Sequence, residues 1–98
     1  MSAFLIVEII KKNEEKFAEY AAKATETVKS HGGEFLIRGK AIKTLVGEQP
    51  EHEFAGLVKF PDIQSIDDWY GSDEYQAIIG LRDEGADVKI TVYQAPPE

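Results

Sequence analysis

Phe4-Leu5-Ile6-Val7-Glu8-Ile9-Ile10 is apolar at both alternating sets of positions, with Glu8 its single charge. Successive strand side chains point to opposite faces, so this run predicts a strand covered on both sides. Asn13 then stands where a helix N-cap belongs, followed by Glu14 and Glu15 in a first turn whose dipole favours carboxylates. Phe17, Tyr20, Ala21, Ala24 and Val28 recur at helical spacing, and Gly32-Gly33 closes the helix near His31. A second strand is expected at Glu34–Arg38, with Gly39 as a bulge or bend and extended chain resuming over Ile42–Val46. Residues 47–52 read as a polar loop, and Phe54–Phe60 as a third strand stopped by Pro61.

Asp62 or Ser65 can cap a short helix carrying Ile63, Ile66, Trp69 and Tyr70, which Gly71 breaks. Ser72 caps another, with Tyr75, Ile78, Ile79 and Arg82 on one face and Gly85 at its end. Val88–Tyr93 is the last strand. The order βαββαβ places the chain in the α+β class, as one ferredoxin-like domain over residues 1–98. Its four-stranded antiparallel sheet carries helices on one face only. The first strand nevertheless asks for cover on the other face, and a second copy of the chain is the simplest source. A homodimer joined through sheet faces is therefore expected.

Charge changes the picture in one respect. The net charge is −7, yet residues 1–49 hold 8 basic and 7 acidic side chains, whereas residues 50–98 hold 3 and 11. That balance argues against nucleic acid or an anionic membrane as partner. With no cysteine, thiolate chemistry and disulfides are excluded. No stretch has the apolar length of a membrane span, and the first apolar run lacks the basic region of a signal peptide, so a soluble, cytoplasmic protein is expected.

Glu19-Tyr20, the segment Gly32-Gly33-Glu34-Phe35-Leu36-Ile37-Arg38-Gly39, Phe60-Pro61, Trp69-Tyr70, Ser72-Asp73-Glu74-Tyr75-Gln76 and Arg82 together resemble domain-of-unknown-function family 1330. The resemblance spans almost the whole chain. It implies a dimeric α/β barrel in which two ferredoxin-like sheets pack face to face. The wider superfamily includes cofactor-independent monooxygenases, muconolactone-isomerase-like enzymes and stress-responsive proteins, an analogy of fold. The chain departs from the family at Val46, where Leu45-Val46-Gly47 replaces a common Leu-Glu-Gly.

The residues themselves offer few chemical candidates. With Phe35 and Ile37 placed under the helices, Arg38 is expected between the two sheets, where a guanidinium could hold a carboxylate or enolate. Alternatively it forms an internal ion pair with Glu8. Glu8 is the candidate general base, or else a structural partner of Arg38 or Lys59. Trp69 and Tyr75 are expected to shape a pocket with Tyr75 at its mouth, and Arg82 to join them; the bland alternatives are helix-to-sheet packing and a cation in a last helical turn. Ser72 reads as a cap. His31 suits a helix C-terminus, and His52 alone between Glu51 and Glu53 makes a poor metal site. Neither metal nor cofactor is expected, since no phosphate-binding glycine loop opens a helix.

These candidates support cleft binding of a small, partly apolar organic acid, with cofactor-independent proton-transfer or oxygenase-type chemistry as its catalytic form. A non-catalytic ligand-binding or stress-response module, or a purely structural dimer, is the alternative.

Overall fold

The computed structural model describes residues 2–96. Strand β1 runs Ala3–Lys11, helix α1 Glu14–Ser30, β2 Glu34–Lys40 and β3 Phe54–Phe60. Helices α2 (Ile63–Tyr70), α3 (Asp73–Gln76) and α4 (Ile79–Gly85) follow, then β4 (Ala86–Gln94). The strands form one antiparallel sheet in the order β2-β3-β1-β4, the ferredoxin-like arrangement.

Register assigns each side chain to a face, because residues opposite one another in a ladder point the same way. Leu5 faces Val58 and Val92, and Ala3 faces Phe60. These positions lie under the helices, where Ala3, Leu5, Val58 and Phe60 join Tyr20, Ala24, Val28, Ile66, Trp69, Tyr75 and Ile78 in one core. Phe4, Ile6, Glu8 and Ile10 take the opposite face, with Leu57 across from Ile6. No helix of the described chain packs there. The first strand is apolar on both sides, as its sequence requires, and only one side is roofed.

Helix α1 begins where its cap predicts: the Asn13 side chain accepts from the Lys16 N–H at 3.0 Å. Its two closing glycines serve different ends. Gly32 takes φ +82°, the left-handed conformation that suits glycine. A Cβ on Gly33 would sit 2.6 Å from a Val28 methyl and 2.8 Å from the Phe60 ring, so there the missing side chain is what permits packing. Asp62 caps α2 by accepting from the Ser65 N–H at 2.8 Å, and Ser72 caps α3 by accepting from the Tyr75 N–H at 3.2 Å.

Three expectations are corrected. The irregularity in β2 falls between Phe35 and Ile37, at Leu36, and not at Gly39, which pairs regularly with Ala55. Residues 41–53 form a loop, so Ile42, Leu45 and Val46 belong to no strand and are 83%, 84% and 92% exposed. The helix expected from Ser72 to Gly85 is two pieces, because Ile78 adopts φ −109° and ψ 5° and interrupts it. Ile78 buries its side chain at that break.

Candidate functional site

Between α1 and the sheet lies a cleft of about 420 Å³. Its inner wall is apolar and buried: Leu5, Ala24, Val28, Val58 and Trp69. The exposed stretch Arg38-Gly39-Lys40 of β2 lies on its rim, with Phe17, Phe54 and Lys11 also lining it. Among the described residues no carboxylate or imidazole lines the cleft, and Lys11, Arg38 and Lys40 are its charged groups. Lys11, Arg38 and Lys40 over an apolar floor bias the rim positive inside an acidic protein, with Lys11 sharing its charge with the exposed Glu14 at 3.6 Å.

The β2 bulge builds this rim. An inserted residue reverses which side chains face which way downstream. Phe35 lies opposite buried Val58, on the helix side. Ile37, next in phase by simple alternation, pairs instead with Leu57 on the open face and is 68% exposed. Arg38 pairs with Gly56 and returns to the helix side, its guanidinium carbon 5.0 Å from the centre of the Phe35 ring. Gly56 stands opposite it, and a Cβ there would be in ordinary contact with the Arg38 Cβ, 3.8 Å away.

The Arg38 side chain therefore leaves the strand on the helix side, although the residue also borders a hollow on the open face with Ile6, Ile37 and Leu57, and it does not pair with Glu8, which lies on that face. The Glu8 partner is His52, Nδ1 to Oε2 3.1 Å, with both side chains partly buried. The loop carrying His52 is tied down alongside by the Glu53 N–H, which donates to the Ile9 carbonyl at 3.1 Å. Glu8 and Arg38 cannot meet one ligand within a single protomer.

Tyr75 is wholly buried, behind the cleft and not at its mouth. Its hydroxyl is 2.8 Å from that of Tyr20 and accepts from Arg82 Nη1 at 3.2 Å. Arg82 Nε also donates to Asp83 at 2.9 Å. Burial opposes the charge on Arg82, but hydrogen bonds to Asp83, Tyr70 and Tyr75 outweigh it, raising its pKa and keeping the guanidinium protonated. Burial, reinforced by Tyr75, pushes the Tyr20 phenol above its ordinary range, so it stays neutral. Arg82 lines a second cavity of about 350 Å³ with Ile66, Asp67 and Tyr70, separated from the first by Leu5, Trp69 and Ile90, which line both. Trp69 is fixed in this wall by Nε1, which donates to Thr27 Oγ1 at 3.0 Å. Among the described residues no three side chains of metal-ligating type come together.

Of the residues singled out in the sequence, Arg38 and Trp69 meet in the cleft, Tyr75 and Arg82 stand behind it, and Glu8 is across the sheet. Lys11, Tyr20 and Lys40 were missed. Lys11 was legible, because Leu5, Val7, Ile9 and Lys11 share one face by alternation. Lys40 depends on the bulge.

Several solved structures share the fold. A protein of unknown function from Rhodopseudomonas palustris matches with TM-score 0.80 at 15% identity, covering 98% of this chain and 84% of that one. SnoaB, a cofactor-independent oxygenase from Streptomyces nogalater, matches with TM-score 0.70 at 6% identity, over 99% of this chain and 95% of its own. A dimeric ferredoxin-like protein of unknown function from a Jannaschia species matches with TM-score 0.70 at 12% identity, over 97% and 100%. Identities this low establish the fold alone. Among curated proteins none matches. The sequence itself goes further, for residues 2–95 match the family described as Domain of unknown function (DUF1330), and the chain belongs to that family.

Proposed function

We propose that the protein binds a small, partly apolar organic acid in the cleft between α1 and the sheet. One observation carries this reading: an apolar cavity of about 420 Å³ whose charged groups, among the described residues, are Lys11, Arg38 and Lys40, with no carboxylate beside them. The volume suits a small molecule. Arg38 offers planar, paired donors to a carboxylate at the rim, while Trp69 and the aliphatic wall take the apolar part. Binding is favoured over proton transfer because no carboxylate or imidazole to act as base is found among the described residues of the cleft. Glu8 lies on the far face of the sheet, beside His52.

Arg38→Ala should weaken binding of benzoate-type acids about tenfold to a hundredfold by calorimetry, the range for a lost charge-assisted hydrogen bond. Mass spectrometry of molecules co-purifying with the native protein should return a recurring organic acid. Equal affinity for acids and their neutral amides, or unchanged binding by Arg38→Ala, would remove the reading.

The same proposal includes a homodimer joined through the open sheet faces. Phe4, Ile6, Ile10, Ile37 and Leu57 lie on that face, and the Jannaschia protein of the same fold is described as dimeric. Leu57→Asp should weaken association by on the order of a hundredfold, because a buried unpaired carboxylate is costly. Sedimentation at micromolar concentration should then find single chains with an intact circular dichroism spectrum. A Leu57→Asp protein that remains dimeric would place the interface elsewhere.

A further inference from the structure

We infer that the loop over residues 41–53 is an arm that grips a second copy of the chain through Ile42, Leu45 and Val46. This rests on the sheet-face dimer proposed above and adds a separate part to its interface.

The stem of the loop is fixed on the open-face side of the sheet. The Ala41 N–H donates to the Glu53 carbonyl at 2.7 Å and closes the neck. The Glu53 N–H donates to the Ile9 carbonyl at 3.1 Å, and His52 Nδ1 lies 3.1 Å from Glu8 Oε2. Glu8 is the one charge that β1 places on the open face. A carboxylate beneath a second sheet is costly unless it has a partner, and the loop supplies that partner. The stem therefore prepares for burial the same face that the dimer covers.

The rest of the loop has the opposite character. Ile42, Leu45 and Val46 are the most exposed large apolar side chains among the described residues, and none packs against the core. Gly47 turns the chain beside them at φ +95°, and a Cβ there would meet nothing within 4 Å. Three such side chains within five residues form a patch, unlike the scattered single exposures normal for a surface. The patch continues along the chain from Ile37, which is itself exposed on the open face.

Reach selects the second copy as its occupant. From the neck, about five residues lead to the tip, a span of up to roughly 17 Å. Sheets packed face to face stand about 10 Å apart. An arm rooted on one open face is thus long enough to pass the apposed sheet and close on its flank. In a two-fold dimer each copy gives one arm and receives the other, so the contact is made twice.

Trypsin reads the arm directly, because Lys43 stands between Ile42 and Leu45. Cleavage after Lys43, followed by mass spectrometry, should be at least about tenfold slower in the dimer than in single chains of the Leu57→Asp protein. Replacing Leu45 and Val46 together by serine should weaken association about tenfold to a hundredfold by sedimentation, because both side chains lose their apolar cover. In the Leu57→Asp background the same pair of serines should leave the thermal midpoint unchanged, since neither side chain supports the core. Equal cleavage rates in dimer and single chains, or unchanged association of the double serine variant, would overturn the arm and leave the sheet-face dimer standing. A Leu57→Asp protein that stays dimeric would remove the sheet-face reading and the arm with it.

Discussion

Replacing Trp69 by alanine is expected to cost about 3–5 kcal/mol, the range for deleting a large buried aromatic. A domain of this size has a total stability of about 5–15 kcal/mol, so the variant should be close to unfolding at ordinary temperature. The local reasons are specific. Trp69 is 3% exposed. Its ring packs 4.5 Å from Tyr75, 5.6 Å from Phe60 and 5.9 Å from Tyr70, centroid to centroid. Its indole N–H is the donor to Thr27 Oγ1, whose own proton goes to the Ala24 carbonyl at 2.8 Å. Trp69 also forms part of the wall between the two cavities, so its loss would merge them into one larger void. Urea denaturation followed by circular dichroism measures the change. Trp69→Phe keeps an aromatic ring and removes only the donor, and should cost about 1–2 kcal/mol beyond its smaller area. A Trp69→Ala loss below about 1 kcal/mol would mean that the helices are not anchored through this residue.

How far the sequence discloses the fold differs from element to element. β1 is legible as a strand that needs cover on both sides, since its two faces are both apolar, although that same pattern leaves its phase open. The caps at Asn13, Asp62 and Ser72 are local chemistry, a side-chain oxygen three residues ahead of an orphan N–H, and local chemistry is readable without the rest of the molecule. The apolar stretch Ile42–Val46 resembles a strand by composition. It pairs with nothing, because β2 ends at Lys40 opposite Phe54 and the chain must turn back there. Pairing is a property of the neighbour, which composition does not contain.

Arg38 shows the same limit at the site. Phe35, Leu36 and Ile37 are three consecutive apolar residues, so alternation alone cannot say which of them is doubled by a bulge. Gly39 was the conventional place for one. The bulge at Leu36 moved Arg38 from the open face to the cleft, separated it from Glu8, and brought Lys40 along with it. One inserted residue thus decides whether the strand supplies a cation to the sheet interface or to the cavity. The identity of the best anion-binding residue was legible, and the surface on which it acts was not. Tyr20 was legible only as packing, because its hydrogen-bond partner Tyr75 lies 55 residues away in sequence.

Gly85 presents the sharpest conflict between local preference and tertiary packing. It is the last residue of α4, where alanine would be favoured by about 1 kcal/mol on helix propensity alone. Yet a Cβ there would stand 2.7 Å from the Phe17 nitrogen, 2.8 Å from the Phe17 Cα and 3.0 Å from the Lys16 carbonyl carbon. All three are backbone atoms, so no rotamer change relieves the overlap. The Gly85 carbonyl also accepts from the Lys12 and Asn13 N–H groups, at 2.9 and 3.1 Å, and so ties α4 to the start of α1. Gly85→Ala must push the helices apart or bend one of them, and should destabilise by about 2 kcal/mol net of propensity. Gly80→Ala is the matched control: it lies in the same helix, a Cβ there meets nothing within 4 Å, and propensity alone should make it up to about 1 kcal/mol more stable. Opposite signs in urea denaturation are the expected result. If both alanines stabilise, α1 and α4 do not approach as closely as the surroundings of Gly85 imply.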